Sequence, residues 1–202
     1  PTFEEGRKYL APGLFGPCGY GFPSILGAKV GQPDVPVVGF AGDGAFGISM
    51  NEMTAIGRND WPPITMVIFR NYQWGAEKRN STLWFDDNFV GTELNLGVEY
   101  AKIAEGCALK GVQVRTMDQL SEALENALEG QMKRGETTFI EVVLNQELGE
   151  PFRRQLAGIQ YVGSFLEDRR DAHRASGAIV PGGLVQLDRA VRVQNRDAGG
   201  QH

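Results

Sequence analysis

Three short runs of β-branched and aromatic residues constrain this chain more than anything else in it. Residues 35–40, 64–70 and 138–144 are rich in Val, Ile and Phe, and nearby Gly, Pro or Asn residues set them off. Runs that are apolar throughout, rather than alternating, fit strands covered on both faces, as in a parallel sheet. A shorter run, 112–115, is expected to join them. Helical stretches fall between the runs. The clearest is 118–134, where Leu120, Ala123, Leu124, Ala127 and Leu128 repeat at the spacing of one apolar face. Thr116 and Gln119 fit a capping box at its start and Gly135 a stop. Helices are also expected at 23–30, 49–59 and 98–108. The fold class that follows is α/β, a parallel sheet flanked by helices on both faces. Ligands of such sheets gather at the carboxyl ends of the strands.

The rest of the chain divides by character. Residues 71–97 lose periodicity and read as a long aromatic and charged loop, a length more often functional than incidental. From 155 to 202 the chain is rich in Arg, Asp and Gly with little apolar periodicity, and it holds both histidines, His173 and His202. The expectation is a domain over 1–154 and an extended or disordered tail over 155–202 with no assigned function. A net charge of −5 argues against nucleic acid as a partner. No apolar run reaches the ~18 residues of a membrane span. Two cysteines, Cys18 and Cys107, are too few for a disulfide framework, so a cytoplasmic setting is expected. The chain opens at Pro1 without an initiator Met and reads as a piece of a longer polypeptide.

The sharpest local signal is the run 37–46, a buried strand entering Gly42-Asp43-Gly44-Ala45 and then a helix. Glycines permit a tight bend and close approach of an anion, and the helix start offers free N–H groups. Asp43 adds a carboxylate at the same spot. A divalent cation bridging carboxylate and anion would reconcile the two, and magnesium suits oxygen ligands of this kind. The alternative is an ordinary strand-turn-helix junction with Asp43 as a cap. The next strand runs directly into Asn71, 28 residues on (71 − 43). Adjacent parallel strands would place both residues at one edge, where Asn71 offers a neutral oxygen. The turn Tyr72-Gln73-Trp74-Gly75 offers a main-chain carbonyl.

Strand, Gly-Asp-Gly, helix, strand and Asn at this spacing resemble the diphosphate-anchoring motif of thiamine diphosphate (thiamine pyrophosphate) enzymes. The resemblance implies Mg2+ bound by Asp43, Asn71 and the Gln73 carbonyl. It places Gly42, Gly44, Ala45, Trp74 and Gly75 beside the cofactor, with the Gly44 and Ala45 amides toward the phosphates. The segment Gly16-Pro17-Cys18-Gly19-Tyr20 is similar to the part that cradles the aminopyrimidine, with the Gly16 carbonyl accepting from its amine. Cys18 stands where the family usually has a bulkier apolar residue that props the cofactor into its bent shape.

Three longer stretches, 7–20, 69–94 and 145–154, are similar to the sulfoacetaldehyde acetyltransferases within that family. The resemblance covers roughly 7–154 and implies conversion of sulfoacetaldehyde and phosphate to acetyl phosphate and sulfite. Lys78 and Arg79, just beyond the Asn71 turn, are the candidate contacts for these anions. Their alternative is a solvated charged surface. The resemblance further implies a pyrimidine-binding domain, in the same or a partner subunit, that supplies the activating Glu, and a homo-oligomer, dimer or tetramer. The fragment alone is expected to be inactive. Two other readings stand beside this one. One is a different thiamine diphosphate enzyme, such as an acetolactate synthase-like carboligase or an oxo-acid decarboxylase. The other is a non-catalytic module in which the Gly42-Asp43-Gly44 turn binds a nucleotide.

Overall fold

In the computed structural model, residues 8–58 and 61–146 are described. The expected tail at 155–202 lies outside the described residues. The apolar runs become strands β1 (Val38–Gly42), β2 (Thr65–Arg70), β3 (Lys110–Val114) and β4 (Thr138–Val143). Between them lie helices α1 (Gly21–Gly31), α2 (Asp43–Ser49), α3 (Glu52–Arg58), α4 (Gly75–Trp84), α5 (Tyr100–Gly106) and α6 (Met117–Glu129). The strands pair in parallel in the order β1-β2-β4-β3.

Successive side chains of a strand point to opposite faces, and here both faces are covered. Met66 and Ile68 of β2 pack with Phe22 and Ile25 of α1, Phe46 of α2, Ile56 of α3 and Phe139 of β4. Val67 turns the other way, into a cluster with Val114, Ile140 and Val142 and with Ala123 and Ala127 of α6. That two-sided burial is why β2 and β4 read as largely apolar runs. Phe46 is fully buried, with ring centroids 5.2 Å from Phe22, 5.5 Å from Tyr100 and 5.9 Å from Phe139. Burying an aromatic of this size contributes about 1.5–3 kcal/mol, so Phe46 pins α2 to the sheet beneath it.

Four of the expected elements differ by more than two residues. β1 begins at Val38 rather than at 35, because Pro36 has no N–H to offer a ladder. The Gln131 side chain instead bonds both the N–H of Val37 (2.7 Å) and its carbonyl (2.9 Å). The helix expected at 49–59 is two helices, with α2 starting at Asp43 itself and α3 starting at Glu52. Thr54 bonds back to the Asn51 carbonyl through its N–H and its hydroxyl, which marks a fresh start. The expected loop at 71–97 contains α4, which has charged residues around it and no apolar stripe to betray it. Finally, the helix expected over 118–134 ends as α6 at Glu129, and a π-helical turn, Gly130–Arg134, continues it to Gly135 at φ +69°. Thr116 caps α6 by accepting from the Gln119 N–H (3.2 Å), while the Gln119 side chain accepts from the Arg115 N–H (2.8 Å). Among the described residues no helix is long and apolar enough to cross a membrane.

Candidate functional site

The parallel register brings the carboxyl ends of β1 and β2 side by side, with Gly42 opposite Phe69. Asp43 follows the first and Asn71 the second. The Asp43 carboxylate is buried, accepting from the Tyr72 N–H at Oδ2 (2.8 Å) and from the Gly44 N–H at Oδ1 (3.0 Å). One terminal atom of the Asn71 carboxamide lies 3.2 Å from Asp43 Oδ1 and 2.9 Å from the Gln73 carbonyl oxygen. Which atom that is depends on the surroundings. A nitrogen there donates to both neighbours. An oxygen there leaves three acceptors facing one another, and a cation among them satisfies all three. A carboxylate, a carboxamide and a carbonyl form the hard-oxygen donor set that Mg2+ takes, so the residues present fit that ion.

Backbone geometry explains how Gln73 arrives there. Tyr72 has φ +62°, in the left-handed region, and turns the chain sharply after β2. Holding a bulky residue there costs about 1–3 kcal/mol and persists only where the surroundings fix it. Here Trp74 donates to the Thr92 carbonyl (2.8 Å) and Leu94 to the Tyr72 carbonyl (2.9 Å), a short antiparallel pairing around the Gln73–Glu93 bridge. The Gln73 side chain is buried and donates to the Gln146 carbonyl (2.7 Å). Gln146 in turn donates to Glu93 (3.0 Å) and, at 3.4 Å, to the Tyr72 carbonyl.

Burial pushes the Asp43 carboxyl above its ordinary range, and the N–H groups of Tyr72 and Gly44 pull it partly back. A bound cation would reverse the burial effect by favouring the ionised form. The Tyr100 hydroxyl donates to the Asp43 carbonyl (3.3 Å). Burial first, and the Asp43 charge second, push that phenol to about 12, so it stays protonated.

Glycine at 44 has a reason the sequence did not reveal. A Cβ there would lie 2.9 Å from the Trp74 indole, so the ring rests against the bare backbone of α2. At Gly42 a Cβ would meet nothing within 4 Å. That open space above the strand end is where a bulky anion can approach. Ala45 follows in the first turn of α2, and Gly75 opens α4 directly after Trp74.

The segment 13–20 is built differently. Gly13, Gly16 and Gly19 all have positive φ (+69°, +54° and +86°), so this backbone path is open chiefly to glycine. A Cβ on Gly19 would also come within 2.8 Å of Ile48 on α2. Tyr20 precedes α1 and accepts from the Ser24 N–H (3.1 Å). Cys18 is exposed, and partial desolvation of its thiol first, with the Glu77 carboxylate second, pushes that thiol above its ordinary range.

Lys78 and Arg79 are half-buried in the first turns of α4. The Lys78 ammonium pairs with Glu93 and lies 5.3 Å from the centre of the Phe89 ring. Sequence reasoning passed over Arg70 and Glu141, which form a buried ion pair at 2.6 Å behind the Asn71 turn. The signal was available: opposite charges inside two otherwise apolar runs need each other. Tyr100 and Gln146 were missed as well, and neither carries a local sequence signature. Among the described residues no group of three His, Cys, Asp or Glu could hold a metal, so this mixed oxygen set has no carboxylate-rich rival there.

Residues 1–142 match the family described as thiamine pyrophosphate enzyme, C-terminal TPP binding domain. Over 154 residues, 76% of this chain, the sequence is 78% identical to a protein of Rhizobium meliloti (strain 1021) named probable sulfoacetaldehyde acetyltransferase. It is 72% identical, over the same length and share, to the sulfoacetaldehyde acetyltransferase of Roseovarius nubinhibens. The chain spans 26% and 25% of the lengths of these relatives. Among solved structures it resembles the thiamine diphosphate-dependent 4-hydroxybenzoylformate decarboxylase of Rhodococcus jostii RHA1. That match has a TM-score of 0.58 and 26% identity, and covers 65% of this chain and 24% of the other.

Proposed function

The chain belongs to the thiamine pyrophosphate enzymes, as their C-terminal TPP-binding domain, and from that premise we propose that the whole protein is a sulfoacetaldehyde acetyltransferase. It converts sulfoacetaldehyde and phosphate to acetyl phosphate and sulfite. The observation that carries this reading is the meeting of Asp43, Asn71 and the Gln73 carbonyl at one point, on a chain 72–78% identical to enzymes of that name.

Thiamine diphosphate, when bound, supplies the electron sink for breaking the bond to the sulfonate. The chain's own residues do the holding. Asp43, Asn71 and the Gln73 carbonyl would hold Mg2+ beside the diphosphate. The bare backbone at Gly42 and the amides of Gly44 and Ala45 approach the phosphates, and Trp74 and Gly75 wall that space. The Gly16 carbonyl accepts from the aminopyrimidine, with Cys18, Gly19 and Tyr20 around it. Lys78 and Arg79 neutralise the sulfonate or the acceptor phosphate. A pyrimidine-binding domain, in the same or a partner subunit of a homo-oligomer, supplies the activating Glu. The protein works in the cytoplasm, and residues 1–154 are the cofactor domain.

Release of sulfite tests the reaction. Full-length enzyme with sulfoacetaldehyde, phosphate, thiamine diphosphate and Mg2+ is expected to form sulfite and acetyl phosphate in equal amounts. Decarboxylation or carboligation of a 2-oxo acid without sulfite release would instead assign the protein to another branch of the family. In the same assay, Lys78→Ala or Arg79→Ala should lower kcat/KM about tenfold to a hundredfold, as loss of a charge-assisted bond of ~1.5–3 kcal/mol implies. A raised KM for phosphate alone assigns the residue to the acceptor, and one for sulfoacetaldehyde alone to the donor.

A further inference from the structure

Arg70 and Glu141 carry opposite charges into the sheet interior, where neither is tolerated alone. They are diagonal neighbours on one face, since Ile68 pairs with Glu141 and Arg70 with Val143. Both are almost fully buried. A pair serving stability alone would need only its partner, but this one reaches further. Glu141 accepts from Arg70 at Oε1 (2.6 Å), and at Oε2 from the Ala101 N–H (3.1 Å) and Gln113 (3.3 Å). The Arg70 guanidinium, so fixed, donates to the Leu96 carbonyl (2.7 Å) and lies 4.5 Å from the centre of the Tyr72 ring. One cation thus holds both ends of the segment 72–96, and Tyr72 is its strained residue, at φ +62°.

We propose that the buried Arg70–Glu141 pair is the positioning device of the cation site. Its guanidinium, stacked on the Tyr72 ring and bonded to Leu96, keeps Tyr72 in the left-handed conformation that turns the Gln73 carbonyl toward Asp43 and Asn71. Neither residue touches the cation. Both act through Tyr72, as outer partners that orient metal ligands do. The inference rests on the reading of Asp43, Asn71 and Gln73 as the Mg2+ ligands.

Mn2+ is a suitable probe in the full-length enzyme, because free Mn2+ is read directly by its paramagnetic resonance. Three variants in the presence of thiamine diphosphate decide the matter. The double variant Arg70→Met/Glu141→Leu removes both charges together, so no buried ion is stranded, and such replacements often preserve stability. It should keep its melting temperature near that of wild type while its Mn2+ dissociation constant rises about 10–100-fold. Wild-type Mn2+ affinity in the folded double variant overturns the proposal. If the double variant does not fold, Arg70→Lys decides, since it keeps the charge but cannot grip Glu141 and Leu96 with one planar fork. Weakened Mn2+ binding in folded Arg70→Lys upholds the proposal, and unchanged binding overturns it. Asp43→Asn separates the two readings. It should lose Mn2+ binding altogether, and if it binds Mn2+ like wild type the cation site itself is misassigned and the role of the pair falls with it.

Discussion

The two halves of the proposed cofactor site are built on opposite plans. At the cation corner Asp43 and Gln73 are each 2% exposed, and Arg70, Tyr72 and Trp74 are tied by hydrogen bonds to Leu96, to Asp43 and Leu94, and to Thr92 respectively. In the segment 13–20 the path is set by three left-handed glycines, and Leu14 and Phe15 are 90% and 95% exposed. The sheet of this chain therefore over-determines the half proposed to hold charge. The half proposed for the ring offers backbone shape and apolar side chains that another surface can cover. Charge needs dry, fixed partners to be held tightly, whereas a flat ring needs shape, which a partner domain can complete.

Breaking the buried half should have the largest effect. Asp43→Asn keeps an oxygen for the Tyr72 N–H but removes the charge. In the full-length enzyme, Mg2+-dependent cofactor binding and sulfite release should be lost, by more than the 10–100-fold expected of outer partners. Circular dichroism and the melting temperature should show the fold intact. Retained sulfite release with ordinary Mg2+ dependence would dissolve the contrast between the halves.

Gly44→Ala tests whether the corner is packed as tightly as it is bonded. The added methyl meets the Trp74 indole at 2.9 Å, and overpacking of this kind costs about 1–3 kcal/mol. A lower melting temperature and a shift in tryptophan emission are expected, together with weaker cofactor binding as the ring swings away. An unchanged protein would show that the indole moves freely.

The open half should be far more forgiving. Cys18 is exposed, so Cys18→Ala should change the unfolding free energy by no more than about 0.5 kcal/mol, as chemical denaturation would measure. A large loss would mean that this segment is held as firmly as the cation corner.

Much of the fold was legible because the sheet is covered on both faces. Such strands must be largely apolar, so β2 and β4 were visible within a residue or so of their ends. The apolar stripe of α6 was visible for the same reason. α4 was not, since the charged and polar run from Glu77 to Thr82 gives no apolar periodicity to read. A helix was expected after the Gly-Asp-Gly turn, but its start at Asp43 was hidden by those glycines, which favour turns until Phe46 is buried and makes the helix the cheaper state. In the candidate site, Asp43 and Asn71 stood out because each ends an apolar strand, and Arg70 and Glu141 could have been paired by the same reasoning.

The sequence by itself determined the alternation of strands and helices, the carboxyl edge where polar residues collect, and the family to which the chain belongs. Those follow from local patterns, in which burial dictates residue type position by position. Only the tertiary structure decided that the Asn71 carboxamide meets both Asp43 and the Gln73 carbonyl, that Trp74 needs a glycine at 44, and that Arg70 reaches across 26 residues to Leu96. Each of these joins groups distant in the chain through a left-handed turn or a buried charge. Such features are locally unfavourable and survive only because the assembled sheet holds them.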